Sequence, residues 1–179
     1  MADVCKEYGG ALYLLAAETE AEKIYFEQLI KIKGILKENI SYVKLLSSPS
    51  LGSNEKKALI EQAFGGKIEE YILNFMLLMC ERGYFGYMIG CIDHFKKVYF
   101  EKRNISEGIV KSAYALSDEE KEAIRKATEK KMSGKTLILD FLVDKSVLGG
   151  FYVEADGKVF DSTVKTKLAG LKNTLSKPI

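Results

Sequence analysis

With 179 residues, 47% hydrophobic and 29% charged, the chain has an ordinary globular composition and room for one large domain or two small ones. A formal net charge of +2 gives no strong pull toward nucleic acid, and neither half is a charged tail. The longest apolar cluster, Tyr71–Cys80, is about ten residues broken by Asn74. That is too short for a bilayer span of about 20 residues and excludes direct membrane insertion through it.

The first ~103 residues read as helices separated by short breaks. Val4, Tyr8, Ala11, Leu12 and Leu15 make one apolar stripe at helical spacing. A second helix, from about Thr19 to Lys37, sets Ile24, Leu29, Ile32, Ile35 and Leu36 among lysines and glutamates. Ile40–Leu46 forms a short third helix, and Pro49 and Gly52 then mark a turn. Ser53 or Asn54 caps a fourth helix that Gly65-Gly66 stops. The segment Lys67–Arg82 is apolar on most faces, as a central helix would be, and Tyr84–Arg103 is a sixth, amphipathic helix with cations near its C-terminus.

From about Asn104 the period changes to two. Val110, Ser112 and Tyr114 fall on one strand face and Ile109, Lys111 and Ala113 on the other. Ser117 with Glu120 is a capping box for a helix whose thin apolar stripe is Ala123, Ile124 and Ala127. Leu137, Leu139, Phe141 and Val143 line one face of a second strand. Phe151–Val153 starts a third, and Asp156-Gly157 is a type I′ turn signal for a hairpin. Asp161 or Ser162 caps a last amphipathic helix carrying Val164, Leu168 and Leu171. The predicted fold is therefore α+β in two domains. A six-helix N-terminal bundle over 1–104 is followed by a small α+β domain over 105–179 with a mixed sheet and hairpin.

Chemistry is scarce. Gly149-Gly150 is followed by aromatic and β-branched residues and not by a helix opening, so it is a bend or bulge and no phosphate cradle. His94 is the only histidine, and Cys91 three residues earlier leaves too few ligands for a zinc site. Glu69-Glu70 and Glu119-Glu120 sit among helix-face lysines. Cys5, Cys80 and Cys91 have no paired spacing, and acidic Asp3 and Glu7 interrupt any leader, which suggests free thiols in a reducing cytoplasm. The pattern predicts an interaction protein with no catalytic centre, metal or cofactor. An RNA-binding, antitermination-type helical adaptor is the alternative, through basic pairs at Lys96-Lys97 and Lys130-Lys131.

The ordered features resemble one family over nearly the whole chain. "YGGALYLLAAE" looks like the first helix, "LLSSPSLGSNEKKALIEQAF" the third helix, turn and fourth helix, and "FMLLMCERGYF" the fifth helix of the delta subunit of bacterial and chloroplast rotary ATP synthases. Its mitochondrial counterpart is the oligomycin-sensitivity-conferring protein. "GIVKSAYALSDEEKEAI" is similar to the start of the family's second domain, and "VDKSVLGGFYVEADGKVFDSTVKTKLAGL" resembles its signature, here Gly149, Gly150, Asp161, Thr163, Lys165 and Leu168.

The resemblance implies a non-catalytic stator subunit on the catalytic head, at the cytoplasmic face of the cell membrane. Its N-terminal domain would bind the N-terminal helices of alpha subunits, one of them in a groove between the first and fifth helices. The residues offered there would be Tyr8, Ala11, Leu12 and Leu15 from the first helix and Phe75, Leu78 and Met79 from the fifth. The C-terminal domain would hold the end of the peripheral-stalk b subunits. Gly9 and Gly10 stand where the family often has alanine and a polar helix former. Two such glycines weaken a helix by roughly 2 kcal/mol relative to alanines. They suggest a first helix whose N-terminal part is ordered by its partner.

Overall fold

The structure, a computed structural model, describes residues 2–132, 134–164, 166 and 168. Among them are seven α-helices and a four-stranded mixed sheet, an α+β chain. The helices α1 (Ala2–Glu18), α2 (Glu22–Glu38), α3 (Ile40–Ser47), α4 (Ser53–Phe64), α5 (Glu70–Glu81) and α6 (Met88–Lys102) precede the sheet, with a 3-10 turn over Phe85–Tyr87. Then come β1 (Ile105–Ser112), α7 (Asp118–Lys131), β2 (Thr136–Val143), β3 (Phe151–Ala155) and β4 (Lys158–Asp161). The chain divides into two compact units, Met1–Tyr99 and Phe100–Ile179. The change from helix to strand falls at residues 103–104, whereas the packing division lies inside the last turns of α6.

In the helical unit the buried residues of each helix recur at helical spacing. On α2 the buried residues are Tyr25, Leu29, Ile32 and Leu36. Ile24 and Ile35, expected in that stripe, are exposed, because Tyr25 lies in phase with Leu29 and Ile32 and takes the core position. On α6, Cys91, Ile92, Phe95 and Tyr99 are buried, and Tyr99 stacks on Phe26 with ring centroids 4.6 Å apart. The expected caps of α4, Ser53 and Asn54, lie inside the helix. Gly52 is the N-cap, and its N–H donates to the Glu55 carboxylate at 3.2 Å.

Gly9 has a packing reason that helix propensity does not reveal. It is buried on α1, and a Cβ built there would lie 2.5 Å from the Cys91 carbonyl oxygen on α6. Gly10 has only the His94 ring nearby, 3.9 Å from such an atom. The expectation that both glycines simply weaken α1 is thus corrected for Gly9. There the missing side chain lets two backbones touch.

In the second unit the strand order is β2-β1-β3-β4. β1 pairs parallel with β2 across the α7 crossover and antiparallel with β3, and β3 pairs antiparallel with β4. Val110, Ile124 and Val153 form the core, with Leu139, Phe141, Phe151 and Phe160 against it. The α7 stripe differs from expectation: Ile124 and Thr128 are buried, while Ala123 and Ala127 are exposed. Thr128 is tolerated because its hydroxyl donates to the Ile124 carbonyl at 2.8 Å. Val143, expected on one face of β2 with Leu137, Leu139 and Phe141, is 56% exposed at the strand's end. The capping box is formed: Ser117 Oγ accepts from the Glu120 N–H at 3.2 Å, and Glu120 accepts from the Ser117 N–H at 2.8 Å. Asp156 and Gly157 have φ of 49° and 69°, as a type I′ hairpin turn requires.

Candidate functional site

An open groove of about 330 Å³ runs between α1 and α5, lined by Tyr8, Ala11, Leu12 and Leu15 on one wall and Tyr71, Asn74, Phe75 and Leu78 on the other. Each wall repeats one spacing: i, i+3, i+4, i+7. Residues so placed share one helix face over two turns, about 10 Å of axis. Two helices therefore present matching, mostly apolar stripes to a shared trough that no described residue fills.

The groove has a floor and a rim. Leu12 and Phe75 are buried and form the floor, where they also belong to the core. Leu78, 40% exposed, and Tyr71, 52% exposed, stand at the rim. Ala11 is exposed and has only a methyl group, so an incoming backbone can come close there. Tyr8 is held in place by its neighbours: its ring lies 6.5 Å from that of Phe75 and 5.9 Å, edge-on, from that of Tyr84.

Six of the seven residues expected to bind a partner thus line one surface. Met79 does not. It is fully buried, because it sits about 100° further around α5 than Leu78 and points into the core. Sequence reasoning missed Tyr71 and Asn74. Stepping back from Leu78 by four and seven residues along the same face would have found both.

The signature stretch forms a fastening in the second unit. Gly149 and Gly150 have φ of 130° and 79°, and a Cβ on Gly150 would stand 2.5 Å from the Ser162 carbonyl oxygen. The Ser162 N–H donates to the Phe151 carbonyl at 3.0 Å, and the Val164 N–H to the Gly149 carbonyl at 3.0 Å. Asp161 accepts from the Thr163 N–H at 2.8 Å and from the Thr166 hydroxyl at 2.6 Å. The cap of the turn that opens at Val164 is Thr163, not Asp161 or Ser162: Thr163 Oγ1 accepts from the Thr166 N–H at 3.3 Å. Leu168 is 60% exposed. Lys165 and Leu171 lie outside the described residues. A second cavity of about 310 Å³ beside this fastening is lined by residues that include Tyr114, Leu116, Ile124 and Phe151.

Burial deactivates two of the three cysteine thiols. Burial pushes the Cys91 thiol up to about 12, with Cys5 beside it acting in the same direction, and burial also raises the Cys80 thiol. Such thiols are poor nucleophiles at neutral pH. Among the described residues no group of three or more His, Cys, Asp or Glu side chains is placed to hold a metal ion.

A family model described as the ATP synthase delta (OSCP) subunit matches residues 4–175. The ATP synthase subunit delta of Clostridium beijerinckii is 34% identical over 172 residues, covering 96% of each chain. That of Lachnoclostridium phytofermentans is 32% identical over 174 residues, covering 97% of this chain and 93% of its own. Among solved structures, a chain of the Toxoplasma gondii mitochondrial ATP synthase hexamer superposes with a TM-score of 0.68 over 98% of both chains at 16% identity, a likeness of fold.

Proposed function

The chain belongs to the ATP synthase delta (OSCP) subunit family, and from that membership we propose how its two parts serve a stator. As a member it is a non-catalytic component of the stator, or peripheral stalk, of the rotary ATP synthase. In our reading the helical unit is a six-helix bundle, and its α1–α5 groove seats an N-terminal helix of an alpha subunit. The second unit holds the end of the peripheral-stalk b subunits. The protein works at the cytoplasmic face of the cell membrane. No helix among the described residues is long and apolar enough to cross a membrane.

One observation carries the groove assignment: two helices present the same i, i+3, i+4, i+7 face to one open trough. A third amphipathic helix completes such a seam. Each apolar side chain it seats there is worth about 1.5–3 kcal/mol of gross burial. Two attachments at separate units let the subunit carry torque from head to stalk without any chemistry of its own. The RNA-binding adaptor reading has no support from the relatives.

Affinity capture of the tagged chain from cells that contain the synthase tests this. Alpha and b subunits are expected to co-purify, and Ala11→Arg is expected to weaken retention of alpha while keeping b. Capture of neither, together with tight, salt-sensitive binding of bulk RNA, would overturn it.

A further inference from the structure

Asn74 is the one carboxamide in the groove wall and the only break in the apolar run Tyr71–Cys80. It sits mid-wall on α5, between Tyr71 and Leu78, and is exposed. Its side chain makes no hydrogen bond to any described residue, so nothing within the helical unit explains it. It also forms helix less readily than the leucines around it. The Tyr8 and Tyr71 hydroxyls at the same groove end long side chains that can turn toward water. Asn74 has a short stem and cannot reach past a covering helix.

We infer that Asn74 sets the register and direction of the helix seated in the groove, by pairing with one hydrogen-bonding side chain on that helix's otherwise apolar seam. This rests on the groove being the seat of an alpha-subunit N-terminal helix. Once that helix covers the wall, water leaves the carboxamide, and an amide buried without a partner is penalised. A carboxamide offers two donors and an acceptor, so either a donor or an acceptor side chain on the occupant satisfies it. Because Leu78 lies one turn beyond Asn74 and Tyr71 one turn before it, only one alignment meets the polar pair and the apolar contacts together. A one-turn slip would leave Asn74 facing an apolar side chain and would leave the occupant's polar group against Leu78 or Tyr71. The device is the one that a single polar seam residue supplies in coiled coils: register is gained at some expense of stability.

The test uses the full chain and a synthetic peptide of the alpha-subunit N-terminal segment, followed by calorimetric titration. Peptide variants replace each polar residue of the seam, one at a time, by leucine. Asn74 is exposed, so Asn74→Leu is expected to leave the fold intact, which circular dichroism checks. Asn74→Leu should weaken the native peptide about ten-fold. One peptide variant should weaken wild type similarly, yet bind Asn74→Leu about as tightly as the native pair binds, which identifies the partner by a double-mutant cycle. If Asn74→Leu binds the native peptide unchanged or more tightly, and no peptide position couples to it, Asn74 is a solvated bystander and the inference fails while the groove assignment stands. If wild type binds no peptide at all, the groove assignment itself falls and this inference with it.

Discussion

Gly9 on α1 and Cys91 on α6 hold two helix backbones in direct contact: a Cβ on Gly9 would stand 2.5 Å from the Cys91 carbonyl oxygen and 3.0 Å from the Cβ of His94. Real Cβ atoms do not approach backbone oxygens so closely, so a side chain at position 9 separates the helices. Gly9→Ala is therefore expected to destabilise the protein by about 1–3 kcal/mol, although alanine is the better helix former. Gly10→Ala meets no such obstacle and is expected to stabilise by about 0.5–1 kcal/mol. Urea denaturation of the two variants separates these outcomes. A Gly9→Ala protein more stable than wild type would show that the contact is not required.

The two adjacent glycines show where a sequence stops being informative. Helix and strand periods placed the α-helices and strands in order, though the 3-10 turn at Phe85–Tyr87 was read as the start of the sixth helix, and the capping box at Ser117 and Glu120 and the turn at Asp156-Gly157 were legible because their residues interact locally. Gly9 was not, because its reason lies about 80 residues away on another helix. The same limit explains Met79. On a helix as uniformly apolar as α5, composition cannot tell which face meets the core and which meets the trough. Only the phase set by the packed neighbours Phe75 and Met76 decides it. In α1, by contrast, Tyr8, Ala11, Leu12 and Leu15, the four residues that the family resemblance implied, all lie on one wall.

Gly150 is expected to admit no side chain. Its φ of 79° disfavours any L-residue, and its Cβ direction is blocked by the Ser162 carbonyl. Gly150→Ala should cost more than about 1 kcal/mol and loosen the hydrogen bonds that tie Ser162 and Val164 back to residues 149–151. Amide exchange in β3 and β4 reads this directly. Protection equal to wild type would remove the glycine from the fastening.

Thr163 should be replaceable only by a residue that keeps its hydroxyl. Its Oγ1 caps the helical turn that follows. Thr163→Val is expected to lower stability by about 1 kcal/mol, and Thr163→Ser to stay within a few tenths of wild type. A loss in Thr163→Ser with none in Thr163→Val would point to the methyl group and away from the cap.

Asp156 gives the second unit an acid-sensitive tie. Lys135 at 2.7 Å, and next the Ser106 hydroxyl at 2.7 Å, hold its carboxyl below the usual carboxylate value. A carboxyl depressed in the folded state adds stability that is fully present above its unfolded pKa of about 3.9 and is lost as pH falls through the folded value. Asp156→Asn should therefore be less stable than wild type near neutrality, and the gap should close below about pH 4. Denaturation curves across that range check the sign; a gap constant with pH would mean that the charge contributes nothing.

In our reading the α1–α5 groove seats a helix of the alpha subunit. Ala11 tests it most directly, because it lines the trough, is exposed and bears only a methyl group, so that a large charged side chain there fills the seat without entering the core. Titration of an alpha-subunit N-terminal peptide into wild-type protein and into Ala11→Arg is the deciding measurement. Saturable binding to wild type, weakened at least about ten-fold in Ala11→Arg with an unchanged circular dichroism spectrum, is the predicted result. Equal affinity of the peptide for both proteins would contradict the account and place the alpha helix elsewhere.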